Sequence, residues 1–149
     1  MSKIRSILLF SLFPLLMVAC QSTPSNFHTK SNTNLYAQLG EKQGISEFVE
    51  DMINNLLVDK RTKPHFEEVN LDNLFDQLVA QFCELAGGPC QYGGSSMEEV
   101  HRDIPISDGQ FNGLVEALMQ AMDDNNIPAG AQNQLLALLA PMHVDIVSP

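Results

Sequence analysis

Apolar residues first fall into a regular period at Ile45, Phe48, Val49, Met52, Ile53, Leu56 and Leu57, steps of three and one that predict one face of a helix. Ser46 followed by Glu47 suits its start, and the charged, proline-containing run Asp59 to Pro64 predicts its end. Phe66 stands alone in the connection that follows. A second stripe, Leu71, Leu74, Phe75, Leu78, Val79, Phe82 and Leu85, has Asn70 or Asp72 near its N-terminus and closes at Gly87-Gly88-Pro89, a strong stop. Two overlapping Ser-x-x-Glu arrangements, Ser95 to Glu98 and Ser96 to Glu99, predict a short capped helix carrying Met97, Val100, His101 and Ile104 before Pro105. Met97 and His101, four apart, share its face. Ser107 and Gln110 form a further capping box ahead of Phe111, Leu114, Val115, Leu118, Met119 and Met122, the expected buried stripe of the next helix. After a turn at Asp123 to Asn126, Pro128 suits a first helical position, and Leu135, Leu138, Leu139, Met142 and Ile146 form the last stripe, kinked at Pro141. No segment alternates convincingly with period two, so the class is all-α.

At 149 residues the chain has room for one core plus an export segment. Lys3 and Arg5, the apolar run Ile7 to Val18 and then Ala19-Cys20 read as such a segment, residues 1–19, too short and too broken at Pro14 for a spanning helix. Leu16-Met17-Val18-Ala19-Cys20 resembles the lipobox of bacterial lipoproteins, which predicts a lipid on Cys20 and a location on the periplasmic side of a bacterial membrane. Gln21 resembles outer-membrane sorting. Residues 20–34 are rich in Ser, Thr, Asn and Pro and read as a tether, leaving 35–147 for the domain. The formal charge of −10 includes Lys3 and Arg5; without them six basic side chains face eighteen acidic ones, −12. Nucleic acid is excluded as a partner, because phosphate binding needs a basic face.

Beyond Cys20 only Cys83 and Cys90 remain, with no Cys-x-x-Cys and no Cys-x-x-Cys-His, so covalent c-type haem and structural zinc lack support. An oxidising compartment favours pairing those two thiols. Continued helix would hold them about 10.5 Å apart by rise alone, beyond the roughly 7 Å a disulfide allows, so a bond requires the Gly87-Gly88-Pro89 turn to fold the chain back. Otherwise they are small packing residues. There is no Gly-x-Ser-x-Gly elbow, no His-Glu-x-x-His pair and no phosphate loop, and a hydrolase has nothing to stand on. Of the four histidines, His101 ends a capped helix on the face of Met97 and Ile104, where a ring nitrogen suits a metal in an apolar cavity. By pattern alone such a histidine is more often a packing residue. His65, His143 and the tether's His28 have less in their favour.

Leu35-Tyr36-Ala37-Gln38-Leu39-Gly40, Pro64-His65-Phe66, the run Gly87 to Gly94, Met97-Glu98-Glu99-Val100-His101, Ile106 to Phe111 and Leu139-Ala140-Pro141 resemble the group I truncated haemoglobins. The resemblance covers residues 35–147, and its most specific part joins Gly87-Gly88-Pro89 to Tyr92, Gly94, Met97 and His101. It implies a two-over-two helical sandwich around a non-covalent haem b, with His101 as proximal iron ligand and a diatomic gas (oxygen, carbon monoxide or nitric oxide) on the open side. Phe66 falls at the aromatic position against the haem, and Phe82 and Met97 match wall positions. The distal positions depart from the family: its tyrosine is Ile53, preceded by Met52, and the positions that commonly offer a glutamine are Leu74 and Leu78. Gln77 replaces a common lysine, Gln81 a phenylalanine, and Glu41 one glycine of the first glycine pair.

Such a distal face predicts ready carbon monoxide binding and poor retention of oxygen, unless the amide of Gln81 swings in as a donor. It favours a passive gas binder or haem-redox sensor over a nitric-oxide-oxidising enzyme; an electron donor is expected but leaves no signature. The alternative is a haem-free globin-like lipoprotein serving as an interaction module, in which His101 is only structural.

Overall fold

The Asn34 side chain accepts a hydrogen bond from the Ala37 amide at 3.0 Å and opens α1 (Leu35–Gln38), a turn of helix that the apolar period does not announce. The computed structural model describes residues 34–147; the predicted export segment, Cys20 and the tether up to residue 33 lie outside the described residues. α2 (Glu41–Val58) begins earlier than its stripe alone predicts. Gly40 at φ 80° and Glu41 at φ 59° turn the chain sharply, and the Lys42 amide donates to the Tyr36 hydroxyl at 3.0 Å. A side chain from α1 thereby meets one orphan amide of the first turn. Ser46 sits inside the helix, its hydroxyl donating to the Lys42 carbonyl at 2.8 Å, and is not the cap.

After α2 the chain makes a tight corner. Thr62 is buried and donates to the Leu56 carbonyl at 2.8 Å, a 3-10 turn spans Lys63–His65, and Phe66 packs against the core. Arg61 bridges Asp59 and Glu116, each at 2.6 Å, tying this corner to the helix that carries Glu116. α3 (Leu71–Leu85) is capped by Asn70, which accepts from the Asn73 amide at 3.0 Å. It ends on Gly87 at φ 79°, where Gly88 donates to the Cys83 carbonyl at 2.8 Å and Gly87 to Glu84 at 2.9 Å. This crossed pair satisfies two of the last carbonyls and needs the left-handed residue that glycine supplies.

Ser96 caps α4 (Met97–His101), accepting from the Glu99 amide at 3.3 Å, and the Ser107–Gln110 capping box opens α5 (Asp108–Asp124). Pro128 is the cap of α6 (Ala129–Leu139), one position before that expected. Pro141 ends the helix where a kink was expected: a 3-10 turn, Ala140–Met142, separates α6 from α7 (His143–Ile146). The proline ring cannot continue the hydrogen-bond ladder, so the chain tightens and restarts.

α2 packs against both α3 and α5, while α6 touches α3 and α5, giving two helix pairs laid across one another. Leu39, Ile45, Phe48, Val49, Leu56, Leu118, Met122 and Leu135 are essentially fully buried at the crossing. The described residues form helices and turns without a strand, and no helix among them is long and apolar enough to cross a membrane. Met119 and Leu138 lie exposed, outside the stripes that periodicity assigned them, as do Val100 and Ile104 on and after α4. On α5 the small residues Gly113, Ala117 and Ala121 share the buried face with Leu118 and Met122, while Phe111, Leu114 and Val115 are only half-buried.

Candidate functional site

The half-buried residues have a common cause. A cavity of about 620 Å³ is lined by Phe111, Leu114 and Val115 of α5 together with Met97, Val100, His101 and Ile104 of the α4 segment. Met52 and Leu56 of α2, His65 and Phe66 from the corner, and Leu74 and Leu78 of α3 line it as well. Its volume is in the range of about 300–1,000 Å³ found for small-molecule and cofactor sites. The periodic stripes are thus apolar for two different reasons: part of each faces protein and part faces this space.

His101 is held in one orientation. Its Nδ1 lies 2.8 Å from the Met97 carbonyl oxygen. A carbonyl only accepts, so Nδ1 carries the proton and Nε2 is left with its lone pair free. That is the arrangement a metal-binding histidine needs, with the far nitrogen braced so that the near one is oriented and basic. Among the described residues no three or more His, Cys, Asp or Glu side chains converge as a metal site. A single braced imidazole in an apolar cavity fits a metal whose other ligands come from a prosthetic group, and so fits a haem. Two buried polar atoms at the cavity wall, His65 Nε2 and Gln77 Oε1, have no hydrogen-bond partner within the protein.

Of the residues singled out by sequence, His101, Met97, Phe66, Phe82, Leu74 and Leu78 are brought together on this cavity. Phe82 is buried and stacked on Phe48, ring centroids 6.1 Å apart, which fixes that part of the wall. Ile53 is not brought there. It is 7 % exposed within the core, and its neighbour Met52 takes the place on the cavity wall. One residue along a helix rotates the side chain by about a quarter turn, so adjacent positions face different partners. Gln81 is buried with its amide nitrogen 3.8 Å from Met97 Sδ and 3.9 Å from Met142 Sδ, turned towards α4 and the turn before α7. His65 sits in no periodic stripe, and only its place in the Pro64-His65-Phe66 stretch points to it in the sequence.

The segment leading to α4 is fastened to the end of α3. Cys83 and Cys90 are joined by a disulfide with their Cα atoms 5.7 Å apart, the chain having doubled back at Gly87. A Cβ on Gly88 would meet the Tyr36 ring at 2.5 Å and Cys83 Sγ at 2.7 Å, so glycine is required where the turn passes under α1. The Tyr92 amide donates to Glu84 at 2.9 Å and the Tyr92 hydroxyl donates to the Ser95 carbonyl at 2.9 Å. Burial pushes that phenol above its ordinary pKa, which keeps the donor protonated. At the other end, His143 Nε2 lies 2.9 Å from Asp108 and its ring meets Phe111 edge-on at 4.7 Å, bracing α7 against the start of α5.

Comparison with known proteins agrees with this architecture. The chain is 23% identical over 124 residues to the group 1 truncated haemoglobin of Mycolicibacterium paratuberculosis, covering 83% of this chain and 91% of that one. It is 25% identical over 97 residues to that of a Nostoc species, covering 65% and 82%. Among solved structures, the truncated haemoglobin of Tetrahymena pyriformis in its Fe(III) form superposes with a TM-score of 0.74 at 22% identity, covering 77% of this chain and 98% of that one. The two-over-two haemoglobin of a Synechococcus species, solved with a covalently attached haem, gives 0.72 at 19% identity over 76% and 98%. The fold is therefore the truncated-globin sandwich. With the bacterial-like globin family matching residues 34–148, the conclusion is that this chain belongs to that family.

Proposed function

We propose that this chain is a haem b protein that binds a diatomic gas, with His101 Nε2 as the protein's ligand to the iron. Haem with its iron is the cofactor of the family, and held here it would supply an iron to which a diatomic gas could coordinate. The observation that carries the reading is the Met97 carbonyl at 2.8 Å from His101 Nδ1, which leaves the opposite nitrogen free and fixed inside an apolar cavity. Phe82, backed by Phe48, and Phe66 supply flat apolar surface for a planar group. Met52, Leu74 and Leu78 line the same cavity and offer no donor to it. Three apolar side chains in that place favour gas binding or redox sensing over oxidation of nitric oxide.

The lipobox-like run ending in Cys20 supports a second part of the proposal: a lipid anchor that keeps the globin domain on the periplasmic side of a bacterial membrane, with Gln21 favouring the outer one. The cofactor assignment is tested by expressing the full chain with excess haem. Wild type is expected to show a Soret band that His101→Ala loses, with far-ultraviolet circular dichroism retained. A Soret band unchanged by the substitution, without added imidazole, would show that His101 is not the ligand.

A further inference from the structure

The helix that carries His101 is lightly held. α4 is five residues long and packs on α7, with little direct contact to α2, α3 or α5. α7 is itself only four residues long and is held to the start of α5 through His143 and Asp108. The chain leading into α4 has no ladder of its own: among the described residues, 89–95 take part in no backbone–backbone hydrogen bond. Two bonds tie that stretch back to the end of α3, and they lie side by side. One is the Cys83–Cys90 disulfide, anchored on the fully buried Cys83. The other, from the Tyr92 amide to the Glu84 carboxylate at 2.9 Å, ends on an exposed side chain, where water competes for both partners. Within the stretch, the Tyr92 hydroxyl donates to the Ser95 carbonyl at 2.9 Å, next to the Ser96 cap from which α4 starts.

We propose that the Cys83–Cys90 disulfide positions His101, and that opening it is a redox control on how firmly this protein holds its haem. The proposal rests on the haem-binding reading above. With the bond closed, Tyr92 stays beside Glu84 and on the cavity wall, Ser96 stays where it caps α4, and the Met97 carbonyl stays within reach of His101 Nδ1. With the bond open, the stretch keeps only the exposed Glu84 contact to α3, and α4 moves with it. Groups that orient a metal ligand are worth about 10–100-fold in metal affinity. A dithiol supplies the opening. Cys90 is half-buried whereas Cys83 is fully buried, so a thiolate of the dithiol attacks Cys90 Sγ, and Cys83 leaves as a thiolate that takes up a proton. The second thiol of the reductant then attacks its own sulfur in the mixed disulfide and displaces Cys90. Two electrons have passed to the two cysteines, and the dithiol ends as a disulfide.

The test uses the full chain loaded with haem in three forms: oxidised wild type, wild type treated with excess dithiothreitol, and the double variant Cys83→Ser with Cys90→Ser. The rate of haem loss to an excess of a scavenging apoglobin and the iron–histidine stretch of the ferrous protein are measured on each, and amide hydrogen exchange on the haem-free chains. Haem loss is expected to be about tenfold faster or more in the reduced and double-serine forms, with the iron–histidine band shifted or broadened in both. Exchange is expected to quicken over residues 89–104 and not over α2. Dithiothreitol should change nothing further in the double variant, and the reduced wild type carries the test if that variant does not fold. Equal haem-loss rates and identical bands in all forms would overturn the inference alone, leaving the disulfide a staple of the fold. So would a disulfide that stays closed in excess dithiothreitol, or exchange that quickens as much in α2 as in 89–104, because the loss would then be of global stability. No Soret band in the oxidised wild type would overturn both this inference and the reading on which it rests.

Discussion

Glu41 holds a left-handed backbone at φ 59°, next to Gly40 at φ 80°. A side chain in that conformation costs about 1–2 kcal/mol against its Cβ and carbonyl contacts. Part of the gain from removing the Cβ is offset by the greater freedom of glycine in the unfolded chain. Glu41→Gly is accordingly expected to stabilise the domain by about 0.5–1 kcal/mol, read as a higher urea midpoint at unchanged slope. A lower midpoint would show that the corner is not strained. Gly44, one turn later, has no such latitude: a Cβ there would stand 2.4 Å from the Leu39 carbonyl oxygen, and backbone cannot step aside cheaply. Single residues also mark the edge of what sequence reveals. Ser107 was legible as a cap, and Asn70 and Ser96 each as one of two candidates, because capping is local, completed within three residues of the cap. His65 was nearly silent, because its orphaned nitrogen and its place on the cavity come from the tertiary fold of the corner after α2 and not from a local pattern. Tyr36 as a cap for Lys42 was silent for the same reason.

At the scale of elements, period and position separate. The helices carrying the stripes 45–57, 71–85 and 111–122 were legible, and so was the short α4, because each combines an apolar period with a start or stop signal. Which part of a stripe meets protein and which meets the cavity was not. Phe111, Leu114 and Val115 look like core to any periodicity, and a void between two helix pairs leaves the same apolar signature as a packed interface. The Ile53–Met52 exchange is the same ambiguity at one position: both lie on the buried face of α2, and the period does not say which of them faces the site. The loop between α3 and α4 has its own determinant, the Cys83–Cys90 link across a separation of seven residues. Chain entropy gives a loop of that length a stabilisation of about 2–3 kcal/mol. Replacing both cysteines by serine should lower the free energy of unfolding by roughly that amount, and thiol labelling of the unreduced, denatured wild type should find neither cysteine. If both label, the residues are unpaired packing side chains and the double substitution should act only through lost packing.

For the whole molecule, charge and anchoring bear on where a gas-binding domain would work. A formal charge of −10 disfavours phosphates and suits a partner that is small and neutral. The proposed lipid on Cys20 predicts that the protein made with its own leader fractionates with membranes and that Cys20→Ser moves it to the soluble periplasmic fraction. A wild type already wholly soluble would remove the anchor from the account and leave the globin domain untouched. The central claim is that His101 alone joins this fold to its iron, and the iron–histidine stretch in the resonance Raman spectrum of the ferrous, ligand-free protein tests it most directly. The account predicts that the band is present in wild type, absent in His101→Gly, and restored there at a shifted frequency by added imidazole. A band that persists unchanged in His101→Gly without imidazole would contradict it.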